Sequence, residues 1–113
     1  MIVKKEDRRV QKRCVRNGNG EVTFEHYLEA ADLLGKSRLV AMVTLEPGQS
    51  IGEHTHDTDG EIYIVIKGEL FGKDNDIDCV LHEGDCMWTC NGGSHSIENR
   101  SQNAAQMIAV ILN

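Results

Sequence analysis

Residues 48 to 68 read Gly48-Gln-Ser-Ile-Gly-Glu-His54-Thr-His56-Asp-Thr-Asp-Gly-Glu61-Ile-Tyr63-Ile-Val-Ile-Lys-Gly68. Side chains on an extended strand alternate between two faces, so His54 and His56 point to the same side with Cα atoms roughly 6 to 7 Å apart. Two imidazoles at that separation reach one metal ion. The polar run from Asp57 to Gly60 predicts a turn, and the β-branched run after it predicts a returning strand that brings Glu61 beside the histidines.

A second segment supplies a fourth candidate ligand. It reads Gly84-Asp-Cys-Met-Trp-Thr-Cys90-Asn-Gly92-Gly-Ser-His95-Ser-Ile-Glu-Asn99, with His95 after another glycine turn. Three imidazoles and one carboxylate suit Mn, Fe, Co, Ni, Cu or Zn, and side-chain identity does not choose among these metals. We expect one divalent transition metal per subunit, with positions left open for water or substrate, at His54, His56, Glu61 and His95. In the alternative, the histidines only form hydrogen bonds within a β protein, but Glu61 is then costly to bury without a cation.

The two segments resemble the two motifs of the cupin family. The first motif is matched by Gly48, His54, His56, Glu61 and Gly68, and the second by Gly84, Gly92, His95 and Asn99. Only Cys90 departs from the pattern, because the family usually has proline at that place. The resemblance covers roughly residues 20 to 113. It implies a mainly β fold, the double-stranded β-helix or jelly-roll barrel of small, single-domain, RmlC-like cupins.

The length of 113 residues allows one modest hydrophobic core. We expect an N-terminal arm or edge strand over residues 1–19 and a single cupin barrel domain over residues 20–113. The first residues lack the apolar core of a signal peptide, and the longest apolar run, Met107 to Leu112, is too short to cross a bilayer. The sequence therefore predicts a cytoplasmic protein that does not bind a membrane.

Charge is unevenly distributed along the chain. Residues 1–16 carry a net charge of +5, and the remaining residues carry −11. The acidic body would repel phosphate, and no aromatic residues alternate with the basic ones, which argues against nucleic-acid binding. We expect instead that Val10 to Arg16 forms an edge or arm strand whose Lys and Arg side chains face water or the acidic body.

The four cysteines are Cys14, Cys79, Cys86 and Cys90. On one strand Cys86 and Cys90 lie roughly 13 Å apart, too far for a disulfide. We expect reduced thiols in a cytosolic protein. Two alternatives stay open for Cys90: a small apolar filler, or a thiol that points toward the metal pocket as a further ligand or oxidisable group.

Two patterns compete between Thr23 and Leu34. Apolar residues at helical spacing, followed by Gly35, indicate a helix, whereas Glu21 to Tyr27 alternates as a strand does. We favour a strand followed by one short helix.

Beyond Lys36 the sequence pattern predicts a series of antiparallel strands. They are Arg38–Leu45, His54–His56, Glu61–Lys67, Glu69–Lys73, Ile77–Leu81, Cys86–Cys90, His95–Asn99 and Gln106–Leu112.

Alternation also describes the expected pocket. Tyr63 and Val65 share the face of Glu61, and Ile97 shares the face of His95, so the pocket should be small and largely apolar. The Tyr63 hydroxyl is a candidate polar handle, although a core role fits Tyr63 equally well. No Arg or Lys falls at a predicted inward position near the ligands, which argues against a phosphorylated sugar or a dicarboxylate as substrate.

The resemblance does not decide between turnover and binding. The first hypothesis is a metal-dependent enzyme acting on a small molecule, with a dioxygenase, an isomerase and a lyase as candidates. The second is a small-molecule binding or sensing module that uses the same ion without turnover. The unbroken apolar run Met107–Leu112 indicates a strand covered on both faces, which, with the resemblance, predicts a homodimer.

Overall fold

The computed structural model describes residues 1–113 and consists mainly of β-strands. The ten strands are β1 (Arg9–Arg13), β2 (Val22–Leu28), β3 (Ser37–Leu45), β4 (Ser50–His56), β5 (Gly60–Lys67), β6 (Leu70–Asp74), β7 (Ile77–Leu81), β8 (Cys86–Thr89), β9 (Gly93–Glu98) and β10 (Ala105–Leu112). Two short 3-10 helices, Lys5–Asp7 and Ala30–Leu33, complete the regular structure. All strands predicted beyond Lys36 are confirmed, with boundaries within a few residues of those expected.

The strands form two antiparallel sheets. The six-stranded sheet has the order β1-β2-β3-β10-β5-β8, and the four-stranded sheet has the order β4-β9-β6-β7. Neighbouring strands pair in antiparallel register throughout, for example Ala109 with Ala41 on one side and with Tyr63 on the other. This arrangement confirms the jelly-roll architecture.

The sheets do not close into a barrel, so the predicted closure is wrong. β1 and β8 are edges of the larger sheet, and β4 and β7 are edges of the smaller one. The chain passes from β4 to β5 through the turn Asp57–Asp59, and these two strands do not pair with each other. The sheets are therefore held together by side chains packed between their inner faces, as in a β-sandwich.

One hydrophobic core fills the space between the sheets. Strict alternation along β3 buries Leu39, Ala41, Val43 and Leu45, while the residues between them face outward. Sixteen buried apolar residues from both sheets belong to this one cluster. Each fully buried Val, Leu or Ile contributes about 1.5 to 3 kcal/mol, so core burial is the main stabilising term.

The segment from Thr23 to Leu34 contains a strand and then one helical turn, as favoured from the sequence. β2 extends through Leu28, and the 3-10 helix Ala30–Leu33 is followed by Leu34 and Gly35 with φ of 55° and 70°. The tertiary pairing of β2 with β1 and β3 overrides the helical spacing of its apolar residues. No helix in the structure is long and apolar enough to span a membrane.

The motif glycines and asparagine have structural roles. Gly48, Gly68, Gly84 and Gly92 all have positive φ, between 78° and 91°. At Gly68 a Cβ would also lie 3.1 Å from the carbonyl oxygen of Ala104. Both the positive φ and the lack of space therefore favour glycine at this position. The fully buried Asn99 donates its Nδ2 protons to the carbonyls of Leu45 and Asn103, both at 2.8 Å. These residues shape the turns between the strands that carry the candidate ligands.

Alternation along β8 determines where its cysteines and its tryptophan point. Met87 and Thr89 are buried, whereas Cys86 and Trp88 are exposed on the outer face of the six-stranded sheet. All four cysteines are free, as predicted. Cys90 follows β8 and is partly exposed.

The segment between β1 and β2 is hydrogen-bonded to β4. The Gly52 amide donates to the Val15 carbonyl at 3.1 Å, and the Ser50 amide donates to the Asn19 carbonyl at 3.0 Å. A Cβ on Gly18 would lie 2.2 Å from the Ser50 carbonyl oxygen, and one on Gly52 would lie 1.9 Å from the Arg16 carbonyl oxygen. Glycine at both positions therefore permits this close contact between two backbones.

We expect Gly18→Ala to lower the free energy of unfolding by about 1 to 3 kcal/mol, because the added Cβ meets backbone that cannot move aside. Gly72→Ala is the matched control, since its Cβ would meet side-chain ends and no backbone; the nearest is the terminal methyl of Met87, at 2.5 Å, which can rotate away. Urea unfolding followed by circular dichroism measures both variants. Equal losses of stability would contradict the backbone contact as the cause.

Candidate metal centre

The four predicted ligands lie together between the two sheets. β4 carries His54 and His56, β5 carries Glu61, and β9 carries His95 opposite His54 in the strand register. The Oε1 atom of Glu61 lies 3.5, 3.2 and 3.0 Å from the Nε2 atoms of His54, His56 and His95. The His95 Nε2 lies 3.0 Å from that of His54 and 3.2 Å from that of His56.

These separations are those of ligands on one ion. Atoms bound at roughly 2.1 Å to a common centre are about 3.0 Å apart in octahedral coordination and about 3.4 Å apart in tetrahedral coordination. All four ligand atoms lie within 4.8 Å of one another, and three of the four residues are buried. The residues present therefore fit a divalent transition metal, as the donor set indicates.

Each histidine is oriented through its other ring nitrogen. The Nδ1 atom of His54 donates to the Gly52 carbonyl, and that of His56 donates to the Asp59 carboxylate, both at 2.8 Å. The Nδ1 atom of His95 lies 2.8 Å from the Thr89 hydroxyl. A hydrogen bond at Nδ1 fixes the ring and the tautomer, which leaves Nε2 as the ligand atom.

Asp59 is itself held by Arg38. The Arg38 guanidinium forms an ion pair with the Asp59 carboxylate and donates to the Asn113 side chain at 3.0 Å. Partial burial opposes ionisation of Asp59, but the hydrogen bonds from Arg38 and His56 outweigh it and lower the pKa of Asp59. Asp59 therefore stays a carboxylate that accepts from His56 and holds its ring in place.

The electrostatic surroundings favour an ionised Glu61 and a neutral His95. Burial would raise the pKa of Glu61, but its close polar contacts with His54 and His95 outweigh burial and lower this pKa to about 2. Burial lowers the pKa of His95 below its ordinary value. A carboxylate beside neutral imidazoles is the protonation state that a metal ion needs.

Tyr63 lies beside the cluster rather than in it. Its ring is 2% exposed and stacks on His95 with centroids 4.7 Å apart and planes at 9°. Burial and the negative charge of Glu61 raise the pKa of Tyr63 well above its ordinary value, so the phenol keeps its proton. The predicted inward positions of Tyr63, Val65 and Ile97 are confirmed, since all three are buried in the core.

The cluster opens into a cavity of about 190 Å³. His54, His56, Glu61 and Tyr63 line it together with apolar side chains and with three arginines: Arg13, Arg16 and Arg38. The prediction that no Arg or Lys lies near the ligands is therefore wrong, and so is the argument against a dicarboxylate. The arginines were missed because two of them belong to the N-terminal segment, which was expected to face water or the acidic body.

Sequence reasoning also missed Asp59 and Thr89. Asp59 was interpreted only as part of a turn, although it follows His56 by three residues and so can reach its ring. Thr89 lies on the face of β8 opposite the cysteines, and that inner face received no prediction. Period-two alternation from Met87 to Thr89 was the available signal.

The remaining histidines and Cys90 lie outside the cluster. His26 hydrogen-bonds with Gln11 at 3.2 Å, and the exposed His82 pairs with Glu69 at 3.3 Å. The group that could hold a metal does not include Cys90. Of the two alternatives for Cys90, the structure favours the structural filler over the ligand.

Comparison with known proteins places this arrangement in a family. The family described as Cupin domain matches residues 41–111 of the chain. An oxalate-binding protein of Thermotoga maritima is 40% identical over 98 residues, which cover 87% of this chain and 81% of that protein.

Solved structures agree with the sequence comparison. The crystal structure of a predicted oxalate decarboxylase from Thermotoga maritima superposes with a TM-score of 0.94 at 36% identity, covering 99% of this chain and 98% of that one. The polyketide cyclase RemF of Streptomyces resistomycificus has a TM-score of 0.81 at 16% identity, covering 99% and 78% of the two chains. The second likeness concerns the fold alone.

We expect Asp59→Asn to weaken zinc binding about tenfold to a hundredfold, because an amide holds the His56 ring less firmly than a carboxylate does. Asp57→Asn is the matched control, since Asp57 is exposed in the same turn and makes no hydrogen bond to a ligand. Competition with a chromophoric chelator measures both affinities. Equal affinities for Asp59→Asn and wild type would contradict a role for Asp59 in orienting His56.

Proposed function

We propose that this chain, which belongs to the cupin domain family, uses one divalent transition metal to bind a small carboxylate of the oxalate class. The ligands of the metal are His54, His56, Glu61 and His95. The observation that carries the proposal is the convergence of three imidazole nitrogens and one carboxylate oxygen at the wall of a cavity of about 190 Å³. A buried cluster of this composition is costly unless a cation compensates the carboxylate.

The size of the cavity supports a very small ligand. Its volume lies below the range of about 300 to 1,000 Å³ that is typical of sites for drug-sized molecules. Oxalate has six non-hydrogen atoms. The name of the oxalate-binding relative at 40% identity supports the same class of ligand.

The side chains around the cavity have separable tasks in binding. A metal at this site supplies a Lewis acid that polarises a bound carboxylate. Asp59, Thr89 and the Gly52 carbonyl keep the three imidazoles in place, so the ligand set needs little rearrangement when the anion enters. The apolar part of the lining excludes water, which strengthens the attraction between the anion and nearby cations.

Turnover of the same ligand is the second candidate function. One observation favours it: the buried phenol of Tyr63 stacks on His95 at the cavity wall and keeps its proton, so it can donate a hydrogen bond to a bound ligand. The name of the predicted oxalate decarboxylase at 36% identity points to the same class of reaction. An oxygenase, an isomerase and a lyase all use such a metal, so the proposal rests on binding and leaves turnover to experiment.

We expect the purified protein to contain close to one divalent transition metal per chain, and His56→Ala to lose most of it while staying folded. His82→Ala is the matched control, because His82 is exposed and lies outside the cluster. Mass spectrometry measures the metal content of the wild type and of both variants. Equal metal in wild type and His56→Ala would contradict the assigned ligands.

Ligand binding is tested on the same proteins. Calorimetry should show oxalate binding to the metal-loaded wild type and none to His56→Ala or to chelator-stripped protein. An oxygen electrode and a carbon dioxide assay on the loaded protein then separate the two functions. Release of carbon dioxide or consumption of oxygen with oxalate establishes turnover, and binding without either establishes a binding module.

We further propose a homodimer formed through the outer face of the six-stranded sheet. This face carries a continuous apolar surface on three adjacent strands, formed by Val40, Met42, Ile62, Ile64, Ile108 and Val110. Trp88, 48% exposed, extends this surface at the sheet edge next to Ile62. Central strands with apolar residues on both faces need cover, and a second copy of the chain offers a self-complementary surface.

We expect light scattering on a size-exclusion column to give a mass of about 25 kDa, twice the 12.6 kDa of one chain. Ile108→Asp should shift the protein to the mass of a monomer, because it buries a charge in the proposed interface. Val80→Asp is the control, since Val80 is an exposed apolar residue on the other sheet. A monomeric wild type at micromolar concentration would reject the dimer.

A cytoplasmic location remains part of the proposal. All four cysteines are free, and Cys14 and Cys86 are exposed. Exposed thiols persist in reducing compartments and are oxidised readily outside them. The location is therefore consistent with the unpaired cysteines.

A further inference from the structure

The arginines differ in how their charges are compensated. Four of the six pair with carboxylates, in the ion pairs Arg8–Glu25, Arg9–Glu29, Arg38–Asp59 and Arg100–Glu98. The other two, Arg13 and Arg16, have no acidic partner in the structure, although the chain carries a net charge of −6. Both unpaired arginines line the cavity at the candidate metal centre.

The backbone that carries these two arginines is hydrogen-bonded to neighbouring parts of the structure. Arg13 is the last residue of β1, and Arg16 lies in the segment fastened to β4 through the amide of Gly52 and the carbonyl of Val15. The guanidinium of Arg13 also stacks over the Phe24 ring, 4.6 Å from its centroid. Phe24 lines the same cavity, so this contact places the charge at the cavity.

A single surface arginine without a partner is ordinary. Here, however, the two unpaired arginines of an acidic chain border one small cavity that also contains a metal-ligand cluster. A planar guanidinium matches the two oxygens of a carboxylate and is the preferred group for recognising it. The lining of one cavity therefore combines two unpaired arginines with the candidate metal ligands His54, His56 and Glu61.

We propose that Arg13 and Arg16 recognise the second carboxylate of a small dicarboxylate whose first carboxylate lies at the metal centre. This inference rests on the proposed function and adds to it the residues that select dicarboxylates over monocarboxylates. Both arginines lie outside residues 41–111, which the family matches, so the selectivity belongs to the N-terminal segment of this chain. The shared part of the fold supplies the metal ligands.

The test compares oxalate with acetate on metal-loaded protein. Calorimetry is carried out on the chain loaded in turn with Mn²⁺ and Zn²⁺, and the metal content is measured again after each titration, because free oxalate also binds metals. Arg16→Gln is the primary variant, since the Arg16 side chain is exposed and takes part in none of the arginine ion pairs. Arg16→Lys keeps the charge but removes the fork of donors. Lys12→Gln is the matched control, because Lys12 is exposed, carries the same charge and does not line the cavity.

Wild type should bind oxalate more tightly than acetate. Arg16→Gln and Arg13→Gln should each weaken oxalate binding by about tenfold to a hundredfold, with acetate binding and metal content nearly unchanged. Arg16→Lys should fall between wild type and Arg16→Gln, and Lys12→Gln should bind oxalate like wild type.

Two outcomes overturn the inference in different ways. Wild-type affinity for oxalate in both Arg→Gln variants would reject the recognition role while leaving the metal-dependent binding intact. An equal loss of oxalate and acetate affinity in these variants would reject selection of the second carboxylate. Failure of metal-loaded wild type to bind oxalate at all would reject the proposed function, and the inference with it.

Discussion

A carboxylate buried among three imidazoles places the strictest demand on this structure. Glu61 is 4% exposed, and an ionised carboxylate in such surroundings is costly unless compensating groups face it directly. Three strands from two sheets must therefore deliver their side chains to one point with separations of 3.0 to 3.5 Å. The jelly roll satisfies this demand because β4 pairs with β9, while β5 lies across the core in the other sheet.

The residues around the candidate ligands must also be placed accurately. A ring that binds through Nε2 must be fixed at Nδ1, and the three partners of the Nδ1 atoms come from a backbone carbonyl, a turn carboxylate and a strand hydroxyl. Gly52 connects this layer to the N-terminal segment, because its carbonyl holds His54 while its amide donates to Val15. Gly52 therefore contacts both a candidate metal ligand and the segment that carries the unpaired arginines.

Proteins that share this fold do not necessarily catalyse the same reaction or bind the same ligand. A polyketide cyclase shares the fold at 16% identity, whereas the Thermotoga maritima structure at 36% identity is named a predicted oxalate decarboxylase. The candidate metal ligands lie in the part of the chain that the family matches, and the cavity arginines lie before it. Differences in ligand within such a family are expected to arise from the residues that line the cavity around a common centre.

The sequence by itself determined most of the strands and the residues of the candidate metal cluster. Ile77–Leu81 was predicted with both its ends, and His54, His56, Glu61 and His95 were identified, because period-two alternation and turn chemistry are local properties of the chain. Tertiary structure alone decided that Arg38 pairs with Asp59, that Arg13 and Arg16 line the cavity, and that the sheets stay open. Each of these depends on how segments distant in sequence pack against one another, and alternation along one strand carries no information about which distant segment will cover it.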